Sequence, residues 1–169
     1  MKRIILISIL TLVLSVAFVP ISNAEMAKEG TGTGTNIYTV TATYLRLDKE
    51  RYAVTYEGLG VNVADNGQGP FHNMSTHNVG VIYFDKGVGS LLGYMTMTAP
   101  DGDKILYELR EDKTLPPPNL NKGTGKIIGG TGKFMGIEGT VEYQRYYTRP
   151  SKEGVAQGVA RSKATWKIP

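Results

Sequence analysis

The sequence predicts an all-β fold, a closed antiparallel β-barrel of about eight strands. Three observations carry that expectation. Apolar and β-branched residues alternate with period two through most of the chain, glycine and proline turn signals recur between these runs, and no amphipathic stretch of ordinary helix length follows residue 24. Eight strands closed on themselves leave no unpaired edge, and their interior either fills with side chains or holds one small ligand.

The start of the chain is of another kind. Met1-Lys2-Arg3 precedes the apolar run Ile4 to Val19 and then Pro20-Ile21-Ser22-Asn23-Ala24. This is the pattern of a secretory signal peptide, and the small residues Ser22 and Ala24 place the cut after Ala24. The expected location is the periplasm or the extracellular medium, with no stable membrane insertion, because the run falls short of the ~20 apolar residues of a spanning helix. Losing Lys2 and Arg3 takes two units from the formal net charge of +4. The other basic residues, among them Lys104, Arg110, Lys126, Arg145 and Lys163, are scattered without a dense run interleaved with aromatics. They read as solvated strand faces, and nucleic acid is not an expected partner. The chain has no cysteine. Disulfides, thiol catalysis and thiolate metal sites are therefore excluded, and stability must come from packing and sheet closure.

Residues 25–35 are polar and rich in glycine and threonine, without apolar periodicity, and read as a flexible tail. Residues 36–169 are expected to form one barrel domain. Ile37 to Leu47 alternates, with Tyr38, Val40, Ala42 and Tyr44 on one face, and Arg51 to Leu59 repeats the pattern with Tyr52, Val54 and Tyr56. The turn Asp48-Lys49-Glu50 joins them as a hairpin. Gly60 to Asn73, with Asp65-Asn66-Gly67-Gln68-Gly69-Pro70, cannot hold a ladder and reads as the longest loop of the domain. Strands follow at Asn78–Phe84, Ser90–Thr98 and Lys104–Arg110, the last with Ile105, Tyr107 and Leu109 inward. Between the second and third of these, Asp101-Gly102 can supply the positive φ angles of a tight hairpin. Three final strands are expected near Lys122–Ile128, Ile137–Thr148 and Gln157–Ile168.

Gly129-Gly130-Thr131-Gly132-Lys133-Phe134 resembles a phosphate loop at first sight, but the glycine that should stand five residues before the Gly-Lys pair is Ile127, and Phe134 stands where Ser or Thr is required. The better reading is a barrel corner, with glycines bending the strand and Phe134 plugging the end of the core. Continued through Met135-Gly136-Ile137-Glu138-Gly139 into an aromatic strand, this segment resembles one shared by allene oxide cyclases and dirigent proteins. Pro70-Phe71-His72-Asn73, followed by Val79-Gly80-Val81, resembles the cyclases' Pro-Phe-x-Asn run. The resemblance spans about 130 residues and implies an eight-stranded, allene oxide cyclase-like (calycin-like) barrel that uses no metal or cofactor. It also implies a homo-oligomer, since members associate through barrel faces.

The cyclases position an unstable fatty-acid epoxide with a water held by polar groups that include a proline carbonyl; by motif, Pro70 carries over. The candidate set at the mouth is therefore Pro70, His72, Asn73 and Glu57, for water positioning and proton transfer. His72 and His77 have no carboxylate at metal-ligand spacing between them, so no metal site is expected. The face bearing Tyr38, Tyr44, Tyr52, Tyr56, Met95 and Tyr107, closed by Phe134, is the expected wall of a pocket with hydroxyl handles. Three functions fit: a barrel binding a small hydrophobic or amphipathic ligand, a cofactor-independent cyclase or isomerase, or a solid barrel whose long loop contacts a partner in the envelope. A cavity separates the first two from the third.

Overall fold

A computed structural model describes residues 27–148 and 155–169. The signal peptide and its cleavage site lie outside the described residues. Eight strands, β1 (Glu29–Arg46), β2 (Arg51–Ala64), β3 (Met74–Asp85), β4 (Val88–Thr98), β5 (Lys104–Thr114), β6 (Asn121–Gly130), β7 (Glu138–Tyr147) and β8 (Val155–Lys167), follow one another as antiparallel neighbours. The barrel closes where β8 pairs with β1. Among the described residues the sole helix is a single 3-10 turn at Gly132–Phe134, and none is long and apolar enough to cross a membrane.

Two of the boundaries that differ from expectation do so for one physical reason. The supposed tail joins β1: from Glu29 it pairs with β8, with Gly30 opposite Trp166 and Gly34 opposite Ser162. Period two is present in Thr31-Gly32-Thr33-Gly34-Thr35, but glycine occupies the inward positions where an apolar residue would have announced it. Trp166 requires this, because a Cβ on Gly30 would lie 2.8 Å from its ring. Likewise β2 runs on through Gly60 to Ala64, and the long loop shrinks to residues 65–73. Gly60 lies under Tyr38, whose Cβ would be 2.6 Å from an added methyl.

The turns carry the chain around the barrel ends with suitable chemistry. Lys86 and Gly87 both take positive φ between the paired Asp85 and Val88, a two-residue hairpin turn. At Pro100-Asp101-Gly102 only Gly102 is left-handed, so this is a three-residue loop rather than the tight Asp-Gly turn expected.

The glycine-rich corner is architectural. Thr131 exchanges bonds with Lys104, its amide donating to the Lys104 carbonyl and its Oγ1 accepting from the Lys104 amide at 2.9 Å. Gly132 has φ 54°, and the Asp103 carboxylate occupies the space a side chain there would need. That carboxylate accepts the Lys133 amide at 2.9 Å, while Lys133 Nζ pairs with Asp101. Phe134, fully buried, joins Met74, Ile105 and Ile137 in the core and plugs the barrel beneath this corner.

Candidate functional site

The interior is not filled. A cavity of about 350 Å³ runs from the loop at Asn66–Phe71 towards the opposite end of the barrel. It exists because β8, apart from Trp166 at its end, reaches it only with the small residues Ala160, Ser162 and Ala164, and β1 adds Gly32 and Gly34 beside them. The strands β4, β5 and β7 supply Leu91, Met95, Met97, Tyr107, Leu109 and Val141 as the apolar part of the wall. The size is at the lower end of the ~300–1,000 Å³ range of small-molecule sites.

At the mouth, Asn62 Nδ2 donates to the Phe71 carbonyl at 2.7 Å, and the Phe71 ring meets Trp166 edge-on at 4.8 Å. These contacts fix the loop, so Pro70 and the single tryptophan both line the cavity.

The far end is polar and buried. Glu111 of β5 and Arg145 of β7 pair inside the barrel: Arg145 Nε donates to one Glu111 oxygen at 2.5 Å and Nη2 to the other at 2.8 Å. Thr114 donates to the same carboxylate at 2.7 Å, and a break in register between β4 and β5 turns Thr114 inward to reach it. Residues are 2 % exposed at Glu111 and 6 % at Arg145, so both charges are out of water. Such a pair holds only when its remaining bonding capacity is also met. Burial opposes the charge on Arg145, yet Tyr147 and the Glu111 carboxylate more than offset it and raise its pKa. The guanidinium lies 5.0 Å from the centre of the Tyr147 ring.

Among the described residues, three cavity-lining residues have a buried polar atom without a hydrogen bond of ordinary geometry: Arg145 Nη1, the Tyr38 hydroxyl beside Tyr147, and Asn78 Oδ1. Burial raises the pKa of Tyr38, Tyr56 and Tyr143, so these phenols stay protonated and can donate.

Tyr38, Tyr56, Met95 and Tyr107 line the cavity. The structure corrects the other three assignments to its wall. Tyr44 has the right parity, but it lies past Thr41, the last β1 residue with a β8 partner among the described residues, and is 68 % exposed. Tyr52 stacks on Phe84 at 4.7 Å and packs there instead of lining the cavity. Phe134 is the plug and does not reach the cavity.

Nor do the four mouth candidates form one site. Pro70 lines the cavity, but Glu57 points outward, where it bonds His77 Nε2 at 2.8 Å in solvent. His72 is half-buried with Nδ1 unpartnered, and Asn73 is an exposed turn residue with φ 54°.

Sequence reasoning missed Glu111 and Arg145. Arg145, read as a solvated residue, is instead among the most buried polar groups. The signal was parity: Ile105, Tyr107 and Leu109 continue to Glu111, and Val141 and Tyr143 continue to Arg145.

No protein-family model matches the chain, and no curated protein does. Among solved structures, a pterocarpan synthase dirigent protein is similar, with 12 % identity, a TM-score of 0.50, and coverage of 83 % of this chain and 87 % of that one. At that identity the likeness shows the fold: a dirigent-like, eight-stranded barrel.

Proposed function

We propose that the protein is a binding barrel that takes one small amphipathic molecule into its interior. The observation that carries this reading is the cavity of about 350 Å³, apolar along its walls and polar at its buried end. Apolar burial supplies the attraction, and a few placed polar groups set orientation. A barrel with a solid core needs neither the run of small inward residues on β8 nor unpartnered polar atoms within.

A cyclase or isomerase would need a proton donor and acceptor facing the ligand, and Glu57 lies on the other side of the wall. Binding without chemistry requires no such pair. The Met1–Ala24 segment supports export to the periplasm or medium, which N-terminal sequencing of the secreted chain checks: the mature protein should begin at Glu25.

Trp166 is the only tryptophan and lines the cavity, so its emission reports occupancy directly. Titration with 1-aminoanthracene, a neutral apolar probe, should change that emission saturably. A linear, unsaturable response would contradict the proposal.

A further inference from the structure

We infer that the buried end of the cavity is a subsite for a neutral oxygen acceptor, such as a ketone or aldehyde carbonyl, and that it discriminates against carboxylates. This rests on the binding reading above and specifies the ligand's head group.

Two donors without a hydrogen bond of ordinary geometry belong to residues that line the cavity. Arg145 commits Nε and Nη2 to Glu111, which leaves Nη1 as a buried donor on the cavity wall. The Tyr38 hydroxyl, also buried and without a hydrogen bond of ordinary geometry, belongs to a ring that meets Tyr147 edge-on at 6.1 Å, and the same Tyr147 ring carries the guanidinium at 5.0 Å. Buried donors left unmade are costly, so a group that accepts from both gains more than apolar contact alone.

The sign of the charge is settled by Glu111. It already balances Arg145, with both of its oxygens bonded, so the interior end is electrically neutral as it stands. A carboxylate would add a net negative charge in a dry site with no second cation, because among the described residues no other Lys, Arg or His lines the cavity. Uncompensated buried charge is strongly disfavoured. A carbonyl accepts the same two hydrogen bonds without that penalty. The third unpartnered atom, Asn78 Oδ1, is an acceptor and offers nothing to an anion.

The test is a matched series of near-equal shape, 2-acetylnaphthalene, 2-ethylnaphthalene and 2-naphthoate, each displacing 1-aminoanthracene from the full-length secreted protein. The ketone should bind about tenfold or more tighter than the ethyl compound, as expected for hydrogen bonds that include a charged donor, and the carboxylate should bind weakest. Tyr38→Phe, which leaves the ion pair intact, should weaken the ketone about two- to tenfold and leave the ethyl compound unchanged. The double variant Glu111→Gln/Arg145→Gln, which leaves no lone buried charge, should abolish the ketone's advantage. Equal binding of all three compounds, tightest binding of the carboxylate, or a ketone preference that survives both variants would overturn the head-group inference while leaving the binding reading intact. Failure of 1-aminoanthracene itself to bind would overturn the binding reading, and this inference with it.

Discussion

Glu111 and Arg145 stabilise the barrel only as a pair. Each has been taken out of water, and the mutual bonds at 2.5 and 2.8 Å offset that cost. Arg145→Met therefore leaves a lone carboxylate among apolar groups and is expected to lower stability by about 3–5 kcal/mol, whereas Glu111→Leu/Arg145→Met should recover most of the loss. Urea unfolding of the three proteins checks this, and equal losses in the single and double variants would mean that packing, not charge, dominates. Neither residue stands out in the sequence, because charged residues on strands usually face water. Only extending the alternation past Leu109 and Tyr143 places them inward. Tyr38 and Tyr56 were legible by parity, while Tyr44 shows the limit of that signal: parity gives the face of a strand but not how deeply each position on it is buried.

Strand pairing was legible where inward positions are apolar and obscured where they are glycine. The start of β1 and the end of β2 were hidden because Gly30, Gly32 and Gly60 make room for Trp166 and Tyr38 rather than packing themselves. The same economy recurs on β8, where a Cβ on Gly158 would sit 2.5 Å from the Tyr38 ring. Gly158→Ala should displace that ring, at about 1–3 kcal/mol of overpacking, and weaken ligand binding through the displaced hydroxyl; unchanged melting and affinity would contradict the close approach. At the corner, Phe134→Ala removes the plug and should cost about 3–5 kcal/mol, measured by thermal unfolding. The role of that corner was readable from sequence, since glycines, a threonine and an aromatic in that order have a mechanical explanation once a P-loop fails on spacing.

Across the whole molecule, closure with no disulfide makes the buried phenols part of one cooperative unit. Burial raises the pKa of Tyr38, Tyr56, Tyr107 and Tyr143 above the ordinary 10.0. The folded chain thus holds these protons more tightly than the unfolded chain. That contribution is fully present below about pH 10 and is lost as pH climbs beyond it towards the raised values. Tyrosinate absorbance from this buried set should appear together with loss of the β-sheet circular dichroism signal; ionisation well before unfolding would show that water already reaches these rings. The number of strands and their order follow from periodicity, but the presence of a cavity does not, because it depends on which small residues the strand pairing sets side by side on the inner wall. Ala160, Ser162 and Ala164 are unremarkable along β8 and matter only opposite Gly32 and Gly34.

Cavity occupancy is tested most directly by native mass spectrometry of the protein with 1-aminoanthracene, beside Ala160→Phe, which places a ring in the cavity without altering the surface. One probe per wild-type chain, and none on a variant whose circular dichroism shows it folded, is the result expected from an interior site. No adduct on the wild type, or equal adducts on both proteins, would contradict it.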